Sequence, residues 1–225
     1  MEPIDISGLV PEQGNSAALW TISLGPFESN TYVYTPDGAN AWVVDPGLGP
    51  KAVIDQVKDA GLGVTAVLLT HAHADHILGL NDFMDAFAGT PLLIHEAEKD
   101  WPSDPALNLS AAFGTPFSGP EPTRLLQHGQ EISIGDEAWT VRHTPGHSPG
   151  GCVFVAPGGR LAIVGDTLFS GSVGRTDFPG GDFDQLADSI RREIYSLDGS
   201  CLCLPGHGPT TTVAQERSHN PFVRR

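Results

Sequence analysis

Cysteine is scarce in this 225-residue sequence, which has only Cys152, Cys201 and Cys203. An odd count builds no closed disulfide framework and fits a reducing compartment. Cys201 and Cys203 alternate with Leu202 and Leu204, so on a strand both thiols face one side and read as small core residues rather than redox groups. Basic residues are also few: 12 Lys and Arg stand against 27 Asp and Glu, for a net charge of −15. With no basic cluster longer than Arg191-Arg192 or Arg224-Arg225, the chain lacks the cationic footprint that a nucleic-acid backbone requires. No apolar run approaches the ~18 residues of a membrane span. Met1 to Gly14 shows no basic stretch followed by an apolar one, so a cytoplasmic protein without a secretory signal is expected.

Glycine and proline, by contrast, are plentiful at 27 and 19, and 40% of residues are hydrophobic. This is the composition of a loop-rich α/β enzyme, and the length suits one domain spanning residues 1–225. Apolar runs and alternation predict strands near 18–24, 30–35, 41–45, 64–69 and 91–94, with helices near 50–60 and 76–87. A second series has strands near 130–134, 138–143, 151–156, 160–165 and 200–204 and a helix at 183–196. Hairpins and strand–helix units are thus mixed, which favours sheets covered by helices. Ala41 to Val44 and Leu161 to Val164 each run into an aspartate, Asp45 and Asp166, which hints at two related halves. Residues 102–123, rich in Pro, Ser and Gly around Leu107, Leu109, Phe113 and Phe117, are too long for a bare connection; they read as a lid or pocket wall, with a surface excursion as the alternative.

Residues 71–76 carry the chemistry. They read His-Ala-His-Ala-Asp-His, and neutral imidazole with ionised carboxylate is the donor set that borderline divalent metals such as zinc prefer. The apolar run Val64 to Leu69 precedes them, and Ile77, Leu80, Met84 and Phe87 follow at helical spacing. The histidines therefore sit between a strand's C-terminal end and a helix start, where open α/β sheets place ligands. Three more stretches repeat the logic in turns of Gly and Pro: His147 in His143-Thr-Pro-Gly-His-Ser-Pro-Gly-Gly151, Asp166 in Ile163-Val-Gly-Asp-Thr167, and His207 in Leu204-Pro-Gly-His-Gly208. The resulting seven N and O ligands exceed one tetrahedral or five-coordinate ion and suit two ions sharing a carboxylate. A hydroxide bridging ions about 3.5–4 Å apart is then the natural nucleophile, and the chemistry is hydrolysis.

His71-x-His-x-Asp-His76, His147, Asp166 and His207, in this order and spacing, resemble the metallo-β-lactamase superfamily over roughly residues 18–221. The resemblance implies an α/β fold of four layers, an αββα sandwich. It implies that His71, His73 and His147 hold one ion, that Asp75, His76 and His207 hold the other, and that Asp166 bridges them, with Asp75 and Asp166 as catalytic carboxylates. Thr70 to Gly79, Thr144 to Gly150 and Gly174-Arg-Thr-Asp-Phe178 look like the glyoxalase II-type hydrolases and the related persulfide dioxygenases. Pro205-Gly-His-Gly-Pro209 with Glu216-Arg-Ser-His-Asn-Pro-Phe222 is similar to a short, single-domain bacterial subgroup of the former. The implied activity is hydrolysis of small thiol esters by two divalent ions, zinc first, with iron or manganese as alternatives. The competing implication is a persulfide dioxygenase with one iron held by two His and an Asp. Arg175 and Asp177 depart from the glyoxalase II enzymes that carry a helical carboxyl-terminal domain, which place a Lys and a Tyr there.

Smaller expectations concern single residues. Asp45, in Val43-Val-Asp-Pro-Gly47, is expected to accept the second N–H of a ligating imidazole, against a plain turn-capping role. Arg175 reads as a clamp for a substrate carboxylate or as a structural partner of Asp177, and Phe27 as pocket mouth or core. His95, His128, His143 and His219 read as structural or surface residues. The expected partner is a small thiol ester, anionic if the metals leave the mouth positive, bound by a monomer or small homo-oligomer.

Overall fold

A computed structural model describes residues 1–10 and 16–224. Among the described residues, seven strands form a first sheet in chain order: β1 (Glu2–Ile4), β2 (Ala18–Leu24), β3 (Ser29–Thr35), β4 (Asn40–Val44), β5 (Gly63–Leu68), β6 (Leu92–His95) and β7 (Arg124–Leu126). A second sheet runs β13 (Thr211–Thr212), β12 (Leu202–Pro205), β11 (Leu161–Gly165), β10 (Cys152–Val155), β9 (Glu137–His143), β8 (Glu131–Ile134). The helices are α1 (Lys51–Asp59), α2 (Ala74–Ile77), α3 (Leu80–Ala86), α4 (Phe183–Ser189) and α5 (Val213–His219). No described helix is long and apolar enough to cross a membrane.

The layering follows from the two-residue period of a strand, which sends successive side chains to opposite faces. Tyr32 and Tyr34, Trp42 and Val44, and Ala66 and Leu68 point into a core shared with Trp139, Phe154, Leu161, Ile163 and Leu204 of the other sheet. Their neighbours Val33, Val43 and Val67 face outward onto Val53 and Val57 of α1 and Leu80 and Phe83 of α3. On the far side Val153, Val155, Ala162, Val164 and Cys203 meet Leu186 of α4 and Val213 of α5. Helices, sheet, sheet, helices is the resulting order, so strands buried on both faces read in the sequence as continuous apolar runs.

The two halves share one pattern. β2, β3 and β4 pair antiparallel before α1 leads to parallel β5; β9, β10 and β11 pair antiparallel before α4 leads to parallel β12. Asp45 and Asp166 follow the equivalent strands β4 and β11, while His71 to His76 follow β5 and His207 follows β12.

Three expectations need correction. The helix over 76–87 is broken in two, because Gly79 packs against the backbone of Pro46 and Gly47 and its N–H leaves the helical ladder for Pro46 O at 3.0 Å. The helix over 183–196 is α-helical only to Ser189 and continues as a π turn over Ile190–Ile194. The strand near 200–204 begins at Leu202, since Asp198 and Ser200 form a turn closed by Cys201 N–H to Asp198 O at 3.0 Å. β1, β7, β13 and α5 lie outside the sequence expectations. The last carried a readable signal, for Thr212 caps α5 by accepting Gln215 N–H at 3.3 Å, in the Thr-x-x-Gln spacing of a capping box.

Between the sheets, Trp139 packs tilted against Tyr34 and edge-on against Trp42, with centroids at 4.9 and 5.7 Å, and its Nε1 donates to buried Glu137 at 3.0 Å. Trp139→Ala opens a cavity in the shared core and leaves Glu137 one donor short. It should lower unfolding free energy by about 3–5 kcal/mol, read from chemical denaturation at unchanged m-value.

Candidate metal centre

All seven expected ligands converge at one edge of the sandwich. His71 to His76 leave β5 and enter α2, His147 sits in the β9–β10 turn, Asp166 follows β11, and His207 follows β12. Ligand atoms lie within 4.8 Å of one another in three groups: His71, His73 and His147; His71, His76 and Asp166; and Asp75, His76 and His207. His147 Nε2 is 2.9 Å from His73 Nδ1 and 3.2 Å from His71 Nε2. Asp75 Oδ2 is 3.0 Å from His207 Nε2. Between the clusters lies Asp166, with Oδ1 3.3 Å from His76 Nε2 and Oδ2 3.5 and 3.6 Å from the Nε2 atoms of His147 and His207.

The electrostatics separate the clusters. Burial, then charge on His76, holds the His71 imidazole well below its ordinary range, and burial, then His147, pushes His73 down to about 3. Both rings therefore stay neutral with a free lone pair. Burial also acts against charging His76, yet Asp75 and Asp166 outweigh it and raise that imidazole. In Asp166, burial is outweighed in turn by His76, which keeps the carboxyl well below the usual range. Three imidazole nitrogens facing one another at hydrogen-bond distance cannot all be satisfied by protons. Asp166 Oδ1, on the carboxylate between the clusters, is buried without a hydrogen-bond partner. Neutral nitrogen beside ionised oxygen, short of donors, is a donor set that a divalent cation fits.

Ring orientation is enforced from outside. His147 Nδ1 donates to Arg175 O at 2.7 Å, His207 Nδ1 to Phe27 O at 3.0 Å, and His76 Nδ1 to Asp45 Oδ2 at 3.0 Å, so each Nε2 faces the centre. Asp45 also accepts Thr70 N–H at 2.8 Å and Thr70 Oγ1 at 2.6 Å. It holds φ at 53°, a left-handed conformation that a non-glycine residue keeps only when its surroundings impose it. Two glycines are required by space: a Cβ at Gly174 would collide with Asp166 O, and one at Gly206 with Asp166 Oδ1.

The model for the metallo-β-lactamase superfamily matches residues 24–207. The chain belongs to that superfamily. A probable metallo-hydrolase of Bacillus subtilis, YqgX, is 36% identical over 89% of this chain and 94% of its own length. The hydroxyacylglutathione hydrolase GloC of Haemophilus influenzae is 31% identical over 90% and 96%. Among solved structures, the BLEG-1 B3 metallo-β-lactamase superposes with TM-score 0.87 at 40% identity, covering 91% of this chain and 99% of that one. TTHA1623 in a di-iron-bound form superposes with TM-score 0.78 at 35% identity, covering 91% and 100%.

In this superfamily member Arg175 does not reach free into the cavity. Its Nε and Nη2 donate to Asp177 at 2.6 and 2.7 Å. Phe27 is exposed at the cavity mouth, paired with Phe113 at 5.2 Å, and Leu109 and Phe113 make part of 102–123 a cavity wall. His95 and His143 stack on each other at 3.9 Å, away from the seven ligands.

Sequence reasoning missed the residues that tie the ligand turns together. Glu98 is fully buried and accepts Ala72 N–H and Gly150 N–H, each at 2.7 Å. It thereby staples the turn bearing His71 and His73 to the turn bearing His147. Asn30 donates through Nδ2 to Pro205 O at 3.0 Å and Gly208 O at 2.9 Å, while Ser29 Oγ donates to Asp75 O at 2.7 Å. These two staple the Asp75 and His207 turns. In the sequence Glu98 sits between Glu96 and Lys99, where it looks like one of many solvated charges; only the fold distinguishes it.

Each cluster thus has its own staple. Glu98→Gln turns an amide toward a backbone N–H, and should weaken zinc at the three-histidine position tenfold or more. Zinc at the Asp75, His76 and His207 position should change by less than about threefold, and Asn30→Ala should reverse the pattern. Competition titration against a chromophoric chelator, resolving two binding steps, checks both.

Proposed function

We propose that this superfamily member is a two-ion hydrolase of small thiol esters, using zinc. The single observation that carries the reading is that Asp75, His76 and His207 come together as a second cluster beside the three histidines, with Asp166 reaching both. A single iron held by two His and an Asp would leave that second cluster without a role.

Two divalent ions held there would supply Lewis acidity and a water acidified toward neutral pH. The chain's own groups do the rest. His71 and His73 present neutral lone pairs beside His147, and Asp166, whose Oδ2 lies 3.5 Å from His147 Nε2 and 3.6 Å from His207 Nε2, would offset the repulsion between two cations. Asp75 and Asp166 both line the cavity, where their carboxylates orient the attacking water toward a carbonyl. Phe178 and Trp101, with ring centroids 5.5 and 5.8 Å from that of His73, shield the three-histidine side from bulk water, which strengthens the electrostatics inside. Similarity to the hydroxyacylglutathione hydrolase GloC supports a thiol ester as the bond broken.

Zinc-loaded protein should cleave S-lactoylglutathione or a simpler thiol ester at the same rate with and without oxygen, and glutathione persulfide should cause no oxygen uptake. The check is paired thiol release and oxygen-electrode assays. Oxygen uptake with the persulfide by iron-loaded protein, together with inert zinc protein, would sink the proposal in favour of the dioxygenase.

A further inference from the structure

The cavity above the carboxylates has a volume of about 330 Å³, at the small end of ligand sites. Its walls are mostly hydrocarbon: Phe27, Leu109, Phe113, Phe169, Val173 and Phe178. The aromatic rings are distributed over both clusters, since Phe178 lies against His73 at 5.5 Å and Phe169 against His207 at 5.8 Å.

These walls are held in place. Asn108 Nδ2 and Ser110 Oγ donate to Phe117 O at 3.1 and 3.4 Å, closing the excursion that carries Leu109 and Phe113. Buried Glu216 accepts Gly171 N–H at 3.0 Å, and Asn220 donates to Ser172 O at 2.9 Å, which fixes the loop between Phe169 and Val173. Phe27 is tied to the centre through its carbonyl, which accepts from His207. An ordered apolar wall favours a rigid apolar ligand, because neither partner loses much conformational freedom on binding.

Arg175 is the one arginine or lysine among the lining residues, and it is engaged twice. It makes a two-pronged pair with Asp177, and its guanidinium carbon lies 4.0 Å from the centroid of Phe178. A glutathione carrier has two carboxylates several bonds from the scissile carbonyl. They would fall toward the mouth, among phenyl rings and beside an arginine already paired with Asp177, on a chain of net charge −15. Among the described residues at that mouth they find no unpaired cation, so the carrier's charges add little to binding.

The geometry points to a substrate class: uncharged thiol esters carrying an aryl or bulky aliphatic acyl group, in preference to glutathione-borne esters of small polar acids. This inference rests on the thiol-ester hydrolase reading above. The acyl group packs edge or face against the phenylalanines, which rewards aromatic over hydroxylated chains. Asp177 then acts as a specificity-determining residue by keeping Arg175 unavailable to anionic carriers.

Four substrates separate acyl group from carrier: phenylacetyl and lactoyl thiol esters, each of glutathione and of N-acetylcysteamine, assayed with zinc-loaded wild-type protein. The expected order in kcat/KM has phenylacetyl above lactoyl by tenfold or more on either carrier, and N-acetylcysteamine at or above glutathione. Phe113→Ser should reduce the phenylacetyl preference at least threefold with zinc content unchanged. Asp177→Asn, which frees Arg175, should raise the glutathione esters several-fold relative to the neutral ones. Fastest turnover of S-lactoylglutathione, or an unmoved carrier ratio in Asp177→Asn, overturns the inference and leaves the hydrolase reading standing. Turnover of none of the four overturns both.

Discussion

Everything at the edge of this sandwich depends on one constraint: imidazole lone pairs and carboxylate oxygens are packed at hydrogen-bond distance with too few protons to join them. His71, His73 and His147 converge buried, the first two held neutral, and Asp166 reaches both them and the Asp75, His76 and His207 group. Such an arrangement is costly in a low-dielectric surrounding unless a cation completes it. The surrounding structure carries that cost through backbone N–H groups that donate to Glu98, carbonyls that accept from Ser29 and Asn30, a left-handed Asp45, and glycines where no Cβ fits.

That cost explains the topology of support. The centre is assembled from four strand ends in two sheets, and no single element can position it. Each half contributes an aspartate after its third antiparallel strand and histidine after its parallel strand. The cross-links between halves, such as Cys152 N–H to Thr70 O at 2.9 Å and Asn30 N–H to Gly206 O at 2.7 Å, join one half's ligand turn to the other half. A largely hydrocarbon cavity lies above this charged floor; on the proposed reading the floor sets the reaction and the phenylalanine wall sets what reaches it.

Much of this was legible in the sequence, for physical reasons. Strands buried on both faces announce themselves as apolar runs, so the positions of β4, β10 and β11 were readable within a residue or two. The convergence of seven candidate ligand residues was readable because metal chemistry admits few residue types and holds them in Gly and Pro turns. What stayed hidden depends on tertiary contact. The break at Gly79 arises from backbone packing against Pro46 and Gly47, Glu98 gains its role from two turns distant in sequence, and β7 is a short edge strand with little pattern of its own. For Arg175, sequence left two readings open, and the bidentate contact with Asp177 favours the structural one.

The central claim is that Asp166 joins two ion positions, each with its own histidines. Anomalous diffraction at the zinc edge, from crystals of the full chain grown with zinc, tests it most directly. Two peaks of comparable height, about 3.5–4 Å apart on either side of the Asp166 carboxylate, are predicted. One peak at His71, His73 and His147, with none near Asp75, His76 and His207 at saturating zinc, would contradict the account.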